Sequence, residues 1–205
     1  MDPIKSDGSP KWSPKKLTDL SSMQLSRLMK DRNIVDSKTL ILDDNNLADI
    51  EQLDQFQCLE KLSIRNNKLS SMLGIEKAVN LKVVDLGNNN IANIEGLQVL
   101  KQLTWLNLSG NNIQHAGGLS ENTQLCHLDL SDNCLSSIED ITPLMELRTL
   151  LLHGDMFNSL KDISVHVPVS VTILSLSENE FADLTEFQLL HRLSNLEQVS
   201  CIFYV

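Results

Sequence analysis

A 22-residue apolar period runs through most of this chain, and it restricts the possible folds more than any other property. With Leu59 taken as position 1, apolar residues recur at positions 1, 4, 6, 11, 14, 17 and 20, with asparagine at position 9. The third unit shows the full set: Leu81, Val84, Leu86, Asn89, Ile91, Ile94, Leu97 and Leu100. The fifth nearly repeats it in Leu125, Leu128, Leu130, Asn133, Leu135, Ile138, Ile141 and Leu144. A unit this short cannot bury its apolar face alone, so successive units must stack into a solenoid. Alternation over positions 3 to 7 predicts a short strand, with 4 and 6 inward and 3, 5 and 7 outward. Stacked units then give an α/β fold with a parallel sheet on the concave face. The Ile-x-x-Leu-x-x-Leu spacing of the other half suits 3₁₀ or irregular turns on the convex side.

Seven units begin at residues 37, 59, 81, 103, 125, 147 and 171. The first five are 22 residues long, the sixth 24 and the seventh 25, and the insertions are expected on loops or the convex side. An eighth starts at Leu196 and Val199, then leaves the pattern at Cys201-Ile202-Phe203-Tyr204-Val205, which reads as a truncated unit. That apolar, β-prone ending predicts self-association or dependence on a partner. Residues 1–14, with Pro3, Pro10, Pro14 and Gly8, read as a disordered tail. Residues 15–36 read as a helical cap on the first unit: Ser13 can cap, Pro14 suits a first turn, and Leu17, Leu20 and Leu28 give helical spacing. The repeat domain occupies 37–205.

Composition excludes several classes of function. Seventeen basic against 27 acidic residues give a formal charge of −10, which opposes nucleic-acid backbones and anionic membranes. No apolar run approaches the roughly 18 residues of a membrane span, and the N-terminus has no signal-peptide apolar region. Cys58, Cys126, Cys134 and Cys201 form no C-x-x-C pair, so neither zinc nor a redox couple is indicated. Reduced cysteines of a cytosolic protein account for them. No phosphate loop, calcium loop or nucleophile–base–acid arrangement occurs, so no cofactor and no enzymatic activity are expected.

Asparagine at position 9 carries both a donor and an acceptor, so one side chain can satisfy loop N–H and C=O groups as the chain turns. The ladder runs Asn45, Asn67, Asn89, Asn111, Asn133 and Asn179, and is broken by Asp155 in the sixth unit. A carboxylate cannot donate, so this rung is expected to be the weakest.

Function is expected on the concave face, where outward positions are set by the alternation. The candidate partner-binding residues are Val83, Asp85, Trp105, Asn107, His127, Asp129, Leu151, His153 and Ile173. Trp105 stands out, because outward strand positions are usually polar and tryptophan is a favoured interface anchor. The competing reading is a tryptophan lying flat on its neighbours with no partner. His127, Asp129 and His153 invite a metal or acid–base site, but Asp129 and His153 sit roughly 8 Å apart without further ligands. Solvated polar residues are the better account.

The repeats resemble the 22-residue intracellular subclass of leucine-rich repeats, typified by a nuclear regulatory subunit of protein phosphatase 1. Several segments between Thr39 and Ser200 are similar to a centrosomal leucine-rich-repeat and IQ-motif family. They are Leu40-Ile41-Leu42-Asp43, Trp105 to Asn112, His127 to Asn133, Thr149 to Gly154, Ile173 to Glu180 and Leu196 to Val199. The resemblance implies a non-enzymatic adaptor in the cytoplasm and cytoskeleton, at the distal end of the centriole. Such an adaptor works with the distal-end capping protein and restrains cilium assembly. The family's IQ motif is not found in this chain, so calmodulin binding is not carried over. A phosphatase regulator and an axonemal or dynein-assembly protein remain alternatives.

Overall fold

The computed structural model describes residues 17, 18, 20 and 36–201. The expected tail, most of the expected helical cap and the last four residues lie outside them. Leu17 and Leu20 are buried at the start of the core, and the Leu17 N–H donates to Asn45 Oδ1 at 2.9 Å.

Among the described residues, eight three-residue strands form one parallel sheet in sequence order. They are β1 (Thr39–Ile41), β2 (Lys61–Ser63), β3 (Val83–Asp85), β4 (Trp105–Asn107), β5 (His127–Asp129), β6 (Thr149–Leu151), β7 (Ile173–Ser175) and β8 (Gln198–Ser200). The register keeps equivalent positions opposite one another: Val83 pairs with Trp105, Trp105 with His127, and Thr149 with Ile173 across the longer sixth unit. Position 4 faces inward along the sheet: Leu62, Val84, Leu106, Leu128, Leu150 and Leu174 are all 0% exposed. These residues and the convex-side leucines and isoleucines make one continuous core.

The strands are shorter than the alternation predicts, ending at position 5 and not at 7. The cause is local. Side chains at or beside the strand ends accept the position-7 N–H groups: Asp43 takes Arg65 N, Asp85 takes Gly87 N, Asn107 takes Ser109 N and Asp129 takes Ser131 N. Inter-repeat backbone bonds resume at positions 6 and 8, as in Leu86 N to Asn107 O and Asn88 N to Ser109 O.

The convex side turns through short 3₁₀ segments at Leu53–Gln55, Ile75–Lys77 and Leu97–Val99, with a longer one at Leu184–Arg192. The extra length of the sixth unit does fall there, but as a short α-helix, α1 (Lys161–His166). Ile163 and, just past its end, Val167 bury its inner side. The Arg192 guanidinium donates to the Ser164 and Val167 carbonyls, closing the C-terminus.

The asparagine rungs have the same geometry in unit after unit. Asn111 Nδ2 donates to the carbonyls of Leu86, Leu108 and Ser109, while its Oδ1 accepts from Ile91 N at 3.0 Å. Asn133 repeats this with Leu108, Leu130, Ser131 and Ile113. Just before each rung, position 8 takes a left-handed backbone at Asp44, Asn66, Asn88, Gly110, Asp132, Gly154 and Glu178. Asn66 donates its amide to Asp44, and Asn88 to Asn66. A Cβ at Gly110 would collide with Asn88 Oδ1, and one at Gly154 with Asp132 Oδ1.

Candidate functional site: the concave face

The outward rows of the sheet lie on the concave side, and the register places the candidate residues in three parallel lines. Position 3 contributes Val83, Trp105, His127 and Ile173, and position 5 contributes Asp85, Asn107, Asp129 and Leu151. His153 stands at position 7. All but one are half-buried. Asn107 is the exception at 4% exposed, because Nδ2 donates to Asp85 Oδ1 and Oδ1 accepts from Ser109 N. It therefore supports the surface from beneath and offers a partner little.

Trp105 and His127 stack with ring centroids 5.1 Å apart and planes within 4°. Such offset stacking is a favoured arrangement of flat π-systems. Burial pushes the His127 pKa down, with Asp129 opposing, so the imidazole is neutral at neutral pH and suits a stacked ring. The expected competing reading thus holds in one respect: the tryptophan does pack on a neighbour, yet the pair remains on the open face.

The acids and histidines are occupied separately, and do not form one centre. Asp129 Oδ1 accepts from Ser131 N at 3.0 Å and Ser131 Oγ at 2.6 Å, and His153 Nδ1 lies 3.3 Å from Ser175 Oγ. Among the described residues no group of three or more His, Cys, Asp or Glu side chains is placed to hold a metal ion. No helix among them is long and apolar enough to cross a membrane. Cys58, Cys126, Cys134 and Cys201 are unpaired.

A feature the sequence reading missed lies beside Trp105. A hollow of about 480 Å³ opens over β1 to β4, bounded by Ile41, Asp43, Lys61, Arg65, Val83, Asp85 and Trp105. Ser63 forms its floor: it is 6% exposed, and its hydroxyl donates to Asp43 Oδ1 at 2.7 Å. Ile41 is 59% exposed on the rim, a large apolar side chain left open to solvent. Burial raises the Asp85 carboxyl pKa, against the opposing pull of the Gly87 N–H and of Arg65. The signal was present, since Ser63 is the small residue between two cations, but the hollow depends on how far its neighbours project. A second hollow of about 390 Å³ lies away from this face, beside Arg148 and Glu197, and Arg148 is already committed there to the Ser170 carbonyl.

The model of the Leucine Rich Repeat family matches residues 102–122. An internalin (inlF) from Listeria monocytogenes superposes over 93% of this chain with a TM-score of 0.76 and 25% identity. The chain folds as a leucine-rich-repeat solenoid. It covers 52% of that internalin's length. A second internalin (inlC2) from the same organism gives a TM-score of 0.73 at 23% identity, covering 91% of this chain and 77% of its own. The TLR13 chain of a TLR13–ssRNA13 complex gives 0.75 at 22%, covering 91% of this chain and 27% of its own. The last two share the fold alone. No curated protein matches the sequence. For a leucine-rich-repeat protein the curved sheet is the extended binding surface, and the fold generally serves as an interaction module.

Proposed function

We propose that this chain is a non-enzymatic scaffold that holds a protein partner on its concave face, with Trp105 as the anchor. The Trp105–His127 stack carries the reading: a large amphipathic ring is held at a fixed angle on the open side of a rigid sheet. A ring already immobilised loses little side-chain freedom when a partner covers it, so its contact area converts efficiently into affinity. Val83, Leu151 and Ile173 supply apolar area on the same face, and Asp85 and Asp129 supply polar neighbours.

The finer reading is an adaptor of the centrosome, at the distal end of the centriole, that works with the capping protein and restrains cilium assembly. It rests on the resemblance of the segments from Thr39 to Ser200. Fluorescence localisation of the tagged chain and a pull-down with the distal-end capping protein test it. Centriole-tip signal and capture of that protein are the expected results. Axonemal signal, or capture of the phosphatase catalytic subunit instead, would replace this reading with one of its alternatives. Trp105→Ala is expected to weaken the captured partner by about 2 kcal/mol, roughly thirtyfold, in a titration. Unchanged affinity with an intact fold would remove the anchor.

A further inference from the structure

The charges of the concave face are not equally available. Asp43 Oδ1 already accepts from Ser63 Oγ and Arg65 N. Asp85 accepts from Gly87 N, Asn107 Nδ2 and Arg65 Nη1, and Asp129 from both Ser131 donors. The cations differ. The Lys61 side chain is exposed, and its ammonium has no hydrogen bond or ion pair among the described residues. Arg65 gives a single long side-chain contact of 3.4 Å to Asp85 and is 42% exposed. On a chain of formal charge −10, the hollow over Ser63 is therefore a place where unspent donors exceed unspent acceptors. Apolar surface from Ile41, Val83 and Trp105 adjoins them.

We infer that this hollow binds an acidic–apolar segment of a partner protein, an aliphatic or aromatic side chain seated against Ile41, Val83 and Trp105 beside an Asp or Glu held by Lys61 and Arg65. The inference rests on the concave-face reading above and adds the partner's chemistry. Lys61 and Arg65 stand four residues apart along one chain, about 13 Å at the strand rise, with Ser63 between them. An extended peptide crossing that gap presents alternate side chains to the sheet, so an acid and an apolar residue two apart face it together. Guanidinium and ammonium groups suit carboxylate differently, the first by paired N–H groups and the second as a point charge. A basic segment would meet Asp43 and Asp85 already accepting hydrogen bonds, Asp85 from Arg65 itself, with Lys61 and Arg65 repelling it.

A random-peptide display selection on the full chain tests this. Enriched peptides are titrated against the double variant Lys61→Glu with Arg65→Glu and against Trp105→Ala, each checked by circular dichroism and thermal melting. Enriched peptides should carry Asp or Glu within two residues of Leu, Ile, Phe or Trp. They should bind the charge-reversed variant at least tenfold more weakly, and bind the parent more weakly as salt rises. Peptides that are basic or uncharged, or that bind the charge-reversed variant unchanged, would overturn the inference, as would a selection without enrichment. Where Trp105→Ala weakens them and charge reversal does not, the concave-face reading stands and the acidic partner is wrong. Where neither variant weakens them, the concave-face reading fails too. Ser63→Leu, which fills the hollow without altering charge, should also abolish binding, and full binding to a folded Ser63→Leu chain would refute the seat.

Discussion

Asn133 and Asp155 occupy the same place in successive repeats, yet one is a complete joint and the other is not. Asn133 uses its amide on three carbonyls and its oxygen on Ile113 N. Asp155 keeps the second half of this, with Oδ1 accepting from Leu135 N at 2.9 Å, but its buried Oδ2 has no hydrogen-bond partner among the described residues. By the ladder's register, that oxygen stands where the other rungs place an N–H toward carbonyls. Two lone-pair-bearing oxygens cannot satisfy each other unless one carries a proton. Burial accordingly raises the Asp155 pKa to about 7, with Asp132 and Asp129 adding to the effect and the Leu135 and Asn133 N–H groups opposing it. The comparison shows that the geometry of a rung is set by the repeat, whereas its strength is set by a single donor.

The largest effect should come from converting a sound rung into the broken kind. Asn111→Asp is expected to lower stability by about 3 kcal/mol at pH 8, because it strips three donated bonds and buries a charge. A urea midpoint close to the parent's would show that the ladder is ornamental. The reverse change, Asp155→Asn, should raise stability by about 2 kcal/mol at pH 8 and by much less at pH 5.

That difference follows from the protons. The unfolded Asp155 releases its proton near pH 4 and the folded one near pH 7, so between these the folded state binds more protons. Its contribution is present below about pH 4 and is lost as pH rises to 7, then stays level. Glu60 acts oppositely: Lys38 and Lys82 hold its pKa down to about 2, so its contribution is lost only as acid is added below the ordinary carboxylate range. A denaturant series from about pH 4.5 to 8 should show falling stability in the parent and a flatter profile in Asp155→Asn. Parallel profiles would mean that Asp155 titrates normally.

The smallest effect concerns the turns before the rungs. Gly110→Ala is expected to cost about 1 kcal/mol, since a side chain there is strained at positive φ and meets Asn88 Oδ1. Gly154→Ala should cost less, because its turn is anchored by the weaker Asp155 rung. Equal losses would show that the broken rung leaves the turn as rigid as its neighbours.

Much of this was legible because the repeat makes each position answer to a single environment. Position 4 is unambiguous because it is apolar in unit after unit, as at Leu62, Val84 and Leu106. The same logic located the asparagine rungs and the outward rows. What escaped it depends on one unit differing from the rest. Asn122 takes a position that is leucine in Leu100 and Leu144, is 0% exposed, and donates to the Leu97 and Leu100 carbonyls, while its Oδ1 has no partner among the described residues. A period cannot say whether such a polar residue turns outward or is buried and bonded. The helix α1 was hidden for a similar reason, since two extra residues announce an insertion and not its conformation. On the concave face, the alternation placed Trp105 correctly beside His127, but it could not show that Asn107 is held down or that Ser63 leaves a hollow. Both depend on side-chain reach across neighbouring strands.

The left-handed residues before the rungs have a consequence for how such a chain can grow. Asn66 and Asn88 each pass an amide back to the preceding unit, so the row has a direction, and Gly110 ends it by leaving room for Asn88 Oδ1. Gly154 likewise leaves room for Asp132 Oδ1, although Asp132 has no amide to pass back. The units therefore resemble words with stop marks more than identical beads. Duplicating the third unit would lengthen a row, whereas a copy of the fourth placed earlier would cut it short.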